Sequence, residues 1–229
     1  MIIATWNVRG FNKLFKHKEF NRVMNKENII IIAITEDRVA KQHASKIMKK
    51  VFPAWSWHDN YNQTNRGRIW LARDHNEVDL TVLSAHNQFI HCLLRDINTD
   101  KQMDFTAVYG LHTIVDRKPM WQALENIEAN IVNPWLIMGD FNAVINGEDR
   151  IGGSQIQDAE IKDFAKMIDN TGLTIMKSTE GILVQYSCYI SQTSRLIANP
   201  TKSSVYCCGI TRDAEAKILE ILGSRRGPN

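Results

Sequence analysis

Six consecutive apolar residues, Ile29 to Ile34, five of them isoleucine, run straight into the polar triplet Thr35-Glu36-Asp37. β-Branched side chains in an unbroken apolar run suit a strand buried on both faces rather than one with a wet side. Such a strand needs a layer of structure above it and another below. A chain of 229 residues can supply those layers within one large α/β domain.

The same design recurs. "MIIATWNV" reads as a strand that finishes at Asn7, with Gly10 and Asn12 breaking it; "MDFTAVYG" finishes at Tyr109; "WLIMGDFNAVINGEDR" carries a strand into Gly139-Asp140-Phe141-Asn142. Helical spacing lies between these strands. Phe15, Phe20, Val23 and Met24 mark one apolar face, and the Lys-rich segment from Val39 to Val51 is expected to be helical up to Pro53. "DRKPMWQALENIEAN" places Met120, Trp121, Leu124 and Ile127 on one side, with Pro119 suited to a first turn. "DAEIKDFAKMIDNTGL" repeats the pattern through Ile161, Phe164, Ala165 and Ile168 and stops at Asn170 or Gly172. From Trp55 to Tyr109 successive β segments predict sequential antiparallel strands. Together these elements predict two packed sheets with helices outside.

Residues just beyond strand ends gather along one rim of a layered sheet protein. Asn7, Glu36, Tyr109, Asp140 and Asn142 are therefore expected to converge, and the chemistry suits phosphate esters. Glu36 and an amide oxygen can hold Mg²⁺, which keeps several waters and needs one or two carboxylates. Asp140 can orient or deprotonate water, Asn7 and Asn142 can bond phosphate oxygens, and Tyr109 can donate to developing negative charge. Plainer readings stand beside this one. An Asn at a strand end forms turns, Thr35-Glu36-Asp37 suits a helix N-terminus, Tyr109 suits a half-buried strand, and Asp140-Phe141-Asn142 suits an Asx turn.

Composition narrows the alternatives. Twenty-eight basic against 25 acidic residues neither demands nor excludes nucleic acid. The longest apolar run is too short to cross a bilayer and the amino terminus lacks a secretion signal, so a soluble intracellular protein with no membrane partner is expected. Cys92, Cys188, Cys207 and Cys208 form no C-x-x-C pair and read as free thiols. The seven histidines lack zinc spacing, His86 and His91 reading as strand residues, and no phosphate-binding P-loop is present.

"TWNVRGFNK", "ITEDRV", "AVYG" and "WLIMGDFNAV", in that order, resemble the motifs of the endonuclease/exonuclease/phosphatase superfamily, and more closely the endonuclease domain of plant-type non-LTR retrotransposons. "LHTIVDRKPMWQAL" and "NGEDRIGG" add to the likeness. It covers residues 1–178, leaving 179–229 as a divergent, poorly ordered C-terminal segment. The resemblance implies a four-layered α/β sandwich, here with its C-terminal part incomplete, and Mg²⁺- or Mn²⁺-dependent cleavage of DNA phosphodiesters, with the nucleus as the site where an ancestral DNA substrate lies. It assigns metal binding to Glu36 and Asn7, phosphate contact to Asn7, Asn142 and Tyr109, and the water to Asp140 with Asn142.

Departures accompany the likeness. Arg9 stands where some members carry an acid. In "TSRLIANP", Ser194-Arg195-Leu196 is followed by Ile197 where the family has Asp, and no histidine follows His112, so the family's final His is absent. Loss of a positioned acid or base costs ~10² to 10⁴-fold in rate, so the resemblance implies weak or absent nuclease activity. Residues 181–212 hold no Asp or Glu and three of the four cysteines, as a shifted frame or joined segment would give. The competing readings are a non-enzymatic DNA-binding module, an inert retroelement remnant and a phosphatase of small esters.

Overall fold

Alternation along the first two strands sets their faces. In β1 (Ile3–Asn7), Ile3 enters one core while Ala4 and Trp6 enter another; in β2 (Ile31–Thr35), Ile31 and Ala33 join the first and Ile32 and Ile34 the second. The two strands pair in parallel, which requires a crossover, and α1 (Leu14–Glu27) supplies it. This computed structural model describes residues 1–64, 68–143 and 158–175, together with the strands at 183–187, 189–190, 196–197 and 204–208.

The first sheet is completed by β3 (Ser56–Asp59), β4 (Ile69–Arg73) and β10 (Leu183–Ser187) in the order β10-β1-β2-β4-β3. The second contains β5 (Val78–His86), β6 (Phe89–Asp96), β7 (Gln102–Tyr109), β8 (Trp135–Asp140), β9 (Thr174–Ile175) and β13 (Ser204–Cys208), in the order β5-β6-β7-β8-β13-β9. Here β7 and β8 are the parallel pair, joined through α3 (Ile114–Glu128). A separate two-stranded ladder joins β11 (Tyr189–Ile190) to β12 (Leu196–Ile197).

Three apolar layers follow from these faces. Between the sheets, Ile3, Ile31, Ala33 and Leu71 share a core with Leu94, Phe105, Leu136 and Met138. Outside the first sheet, α1 and α2 (Lys41–Val51) bring Phe20, Val23, Ala44 and Met48 to Trp6, Ile34 and Trp70. Outside the second, α3 and α4 (Asp158–Thr171) bring Trp121, Leu124, Phe164 and Met167 to Val108, Trp135 and Ile137. The result is the expected four-layered α/β sandwich of two mixed sheets flanked by helices.

Several local expectations need correction. The sequential antiparallel strands expected from Trp55 to Tyr109 are divided between the sheets: β3 pairs with β4 in the first and β5, β6 and β7 pair in turn in the second, so the chain changes layers between β4 and β5. Phe15 is 54% exposed, because it lies five residues from Phe20 and so about 140° around the helix; His17 takes the buried place instead. Pro119 lies inside α3, not in its first turn. That helix starts earlier, at Ile114, where the Thr113 hydroxyl accepts the Asp116 N–H at 3.1 Å. For α4 the stop is Gly172, whose φ of +61° suits a left-handed residue just past a helix.

The acid-free region contributes β10 alongside β1 and β13 alongside β8. Ser194, Arg195 and the "NGEDRIGG" stretch lie outside the described residues. Cys92 is a free, buried thiol, and burial pushes its pKa up. No helix among the described residues is long and apolar enough to cross a membrane.

Candidate active site

Beyond the paired ends of β1 and β2 the two following loops keep bonding. Val8 N–H donates to Thr35 O at 3.0 Å, Gly10 N–H to Glu36 O at 2.8 Å, and Phe11 N–H to Asp37 O at 2.6 Å. Lys16 reaches back from α1 and donates from Nζ to the carbonyls of Val8 (2.6 Å), Arg9 (3.1 Å) and Gly10 (2.7 Å). These contacts hold Asn7, Arg9 and Glu36 side by side.

The opposite wall comes from β7 and β8, whose register sets Tyr109 beside Asp140. Two glycines permit the close approach of these strands. A Cβ on Gly139 would fall 2.0 Å from Val108 O, and one on Gly110 would fall 2.1 Å from Phe141 O. Gly110 N–H donates to Asp140 O at 2.7 Å and Asn142 Nδ2 to Gly110 O at 2.6 Å, tying the strand ends together.

A buried hydrogen bond joins the walls: Asn7 Nδ2 donates to Asp140 Oδ2 at 2.6 Å, with both residues buried. The second carboxylate oxygen accepts the Asn142 N–H at 3.1 Å. The Asx turn is therefore present within the site itself. Glu36 is also buried, and its carboxylate meets Arg38 on Oε1 and Arg9 Nε at 3.8 Å on Oε2. Tyr109 is fully buried with the Arg68 guanidinium 5.4 Å from its ring centroid. Burial first, then the nearby charges of Glu36 and Asp140, push its hydroxyl up to about 12, so it remains a protonated donor at neutral pH.

The structure thus brings Asn7, Glu36, Tyr109, Asp140 and Asn142 to one place. Glu36 and Asp37 serve no helix terminus, since α2 begins at Lys41 with Ala40 as its cap and has no acid in its first turn. The Asn142 side-chain amide is engaged on Gly110 O, which gives that residue a positioning part in the site. Backbone conformation sets the place apart as well. Of six non-glycine residues with positive φ among those described, Arg9 (44°), Glu36 (55°), Arg38 (53°) and Asn142 (49°) line it. Left-handed geometry costs roughly 1–2 kcal/mol per residue, and such strain concentrates at functional sites.

Sequence reasoning missed Arg38, Arg68 and Asp37. Asp37 lies behind Glu36, accepting the Val39 N–H at 2.8 Å and the Tyr61 hydroxyl at 3.3 Å, while burial pushes its carboxyl up to about 7. An acid directly beside a candidate ligand was the available signal. His91 makes no charged pair with Asp104, because burial lowers its pKa to about 4; its Nδ1 lies 2.9 Å from the Thr106 hydroxyl.

Glu36, Asp140 and the Asn7 amide present only oxygen donors, the set that suits Mg²⁺ or Mn²⁺. No group of three or more His, Cys, Asp or Glu placed to hold a metal occurs among the described residues. One or two carboxylates suffice for such an ion, so the donor chemistry fits.

No protein-family model matches the sequence, and no curated protein matches it. Solved structures do match. An AP endonuclease from Leishmania major aligns with a TM-score of 0.62 at 12% identity over 89% of this chain and 77% of that one. The endonuclease domain of TRAS1, a telomere-specific non-LTR retrotransposon, aligns at 0.59 and 15% over 92% and 85%. A mannosyl-6-phosphatase from Bacteroides thetaiotaomicron aligns at 0.57 and 11% over 90% and 84%. With two mixed sheets between helix layers and this shared architecture, the chain has the endonuclease/exonuclease/phosphatase fold.

Proposed function

We propose that this chain is a divalent-metal-dependent phosphodiester hydrolase of the retrotransposon endonuclease type, acting on DNA and slowed by the absence of a histidine after His112. The observation that carries it is the buried Asn7–Asp140 hydrogen bond, which joins two sheets beside Glu36 and Tyr109. A structural polar pair would not need left-handed backbone at the four residues around it.

Glu36, with the Asn7 amide oxygen, would hold Mg²⁺ or Mn²⁺, which supplies stabilisation of the negative charge that grows on a phosphate under attack. The chain's own groups do the rest. Asn7 orients the Asp140 carboxylate, which accepts a proton from the attacking water. The Tyr109 hydroxyl, kept protonated, donates to the phosphate oxygens. Asn142 fixes the Asp140 turn through its backbone N–H. Loss of the positioned acid or base that the family's final histidine would supply costs ~10² to 10⁴-fold, so slow turnover is expected.

The test is nicking of supercoiled plasmid with Mg²⁺ or Mn²⁺ by the protein and its Glu36→Ala and Asp140→Ala variants. Metal-dependent nicking lost in both variants supports the reading; absence of nicking by folded protein sinks it. A second reading, a DNA-binding module without turnover, is favoured by the two arginines paired to Glu36.

A further inference from the structure

We propose that the outer face of α2, with Trp55 at its end, is a second nucleic-acid contact that grips a single strand by its phosphates and stacks one of its bases. The inference rests on the reading above only in taking nucleic acid as the partner; it needs neither metal nor turnover. Charge is divided between the two outer helix layers. α1 and α2 together carry eight Lys or Arg and two Glu, a larger surplus than the +3 of the whole chain, whereas α3 and α4 carry more acids than bases. Both Glu of α1 are paired, Glu19 with Arg22 at 2.6 Å and Glu27 with Lys26 at 3.1 Å. α2 has four lysines and no acid, and the sequence holds no Asp or Glu from Arg38 to His58. A polyanion is therefore drawn to this layer and turned away from the opposite one.

The helical period sorts the side chains of α2. Ala44, Met48 and Val51 face the core, and Lys41 is tied through Nζ to Asn62 Oδ1 at 2.8 Å. Lys46, Lys49 and Lys50 stand exposed at i, i+3 and i+4, where Cβ atoms are about 5–6 Å apart and each long stem can reach a separate phosphate. An aromatic closes the stripe. Trp55 N–H donates to Phe52 O at 3.2 Å, which keeps Trp55 at the helix end, and its ring lies 5.1 Å from the Phe52 ring. Half-buried, the indole is anchored on the core and still meets solvent. Trp57, also half-buried, follows on β3 at the edge of the first sheet. Lysines alone hold any phosphate chain, but an indole beside them favours bases free of a duplex, since stacking needs an open base face.

The test uses the full chain in EDTA and follows the anisotropy of fluorescein-labelled oligothymidine, of an abasic strand of the same length and of a duplex at equal phosphate. Oligothymidine should bind about tenfold more tightly than the abasic strand, the share that one stacked base carries, and more tightly than the duplex. Single strands give a salt slope of about 0.7 per phosphate contact, so Lys46→Gln/Lys49→Gln/Lys50→Gln should flatten the plot of log affinity against log salt by about 2. Trp55→Leu should lose about tenfold on oligothymidine and nothing on the abasic strand. The abasic comparison decides the stacking if that variant does not fold, and the exposed lysines can be changed without touching the core. An unchanged salt slope in the lysine variant, equal binding of the abasic strand, or duplex binding as tight as oligothymidine would overturn the proposal. So would displacement of the strand by phosphatidylserine vesicles of equal charge, which would make the face a membrane contact. Strand binding with these properties but no plasmid nicking leaves this inference standing and removes the hydrolase, whereas nicking with an unchanged salt slope in the lysine variant does the reverse.

Discussion

Replacing Asn7 by Ala removes a buried hydrogen bond that crosses between the sheets. The donor sits 2.6 Å from Asp140 Oδ2, and the two residues are only 5% and 6% exposed, so little water can reach the stripped oxygen. A hydrogen bond to a charged group contributes about 1.5–3 kcal/mol, and the Arg9 N–H, 3.3 Å from Asn7 Oδ1, loses its acceptor as well. The expected loss is about 2–4 kcal/mol, a large share of the 5–15 kcal/mol typical of a domain. Urea unfolding should give a lower midpoint at unchanged slope, since the same surface is exposed on unfolding. A double-mutant cycle with Asp140→Ala isolates the contact and should return a coupling of about 1.5 kcal/mol or more. Stability of Asn7→Ala within about 0.5 kcal/mol of wild type, or an additive cycle, would refute the argument that this contact joins the walls.

Asp37 sets a pH dependence. Its carboxyl is raised from 3.8 to about 7, chiefly by burial, so between those values the folded chain keeps a proton that the unfolded chain has released. Its contribution therefore falls as pH rises through that window, by up to about 4 kcal/mol, and the wild-type minus Asp37→Asn difference in urea stability should show this slope; a flat difference would contradict it. Gly139→Ala, with its Cβ 2.0 Å from Val108 O at φ +149°, should lose about 3 kcal/mol or more, whereas Gly172→Ala, with nothing within 4 Å at φ +61°, should lose about 1; thermal unfolding compares them. Lys16→Met removes donors from three carbonyls and should raise hydrogen exchange at Val8 and Gly10 at a global cost of about 1–3 kcal/mol; unchanged exchange there would deny the clamp.

Much of the site was legible because its residues close apolar runs. Asn7, Glu36, Tyr109 and Asp140 each follow a buried strand stretch, and local hydrophobicity alone marks where such strands stop. The glycines of the Tyr109-Gly110 and Gly139-Asp140 pairs were visible too, although the reason for them, contact with a neighbouring backbone, exists only once β7 and β8 align. The guanidinium contacts to Glu36 were not legible, since they depend on left-handed turns in two separate loops. Nor was the split of the β segments between sheets, which no local period encodes because both sheets use the same alternation. Pro119 misled because proline is common at a first helical turn, while here the Thr113 cap starts α3 five residues sooner.

The link between Asn7 and Asp140 spans 133 positions of sequence and the gap between two sheets whose shared core is apolar. Oily surfaces tolerate a small lateral slip, because dispersion and burial change little over an ångström, but a 2.6 Å hydrogen bond does not. Such a slip would leave each ladder and each helix layer intact and the circular dichroism unaltered. Whatever this rim binds should therefore be released under mild denaturant or pressure well before the chain melts, making ligand affinity a gauge of sheet alignment rather than of folding.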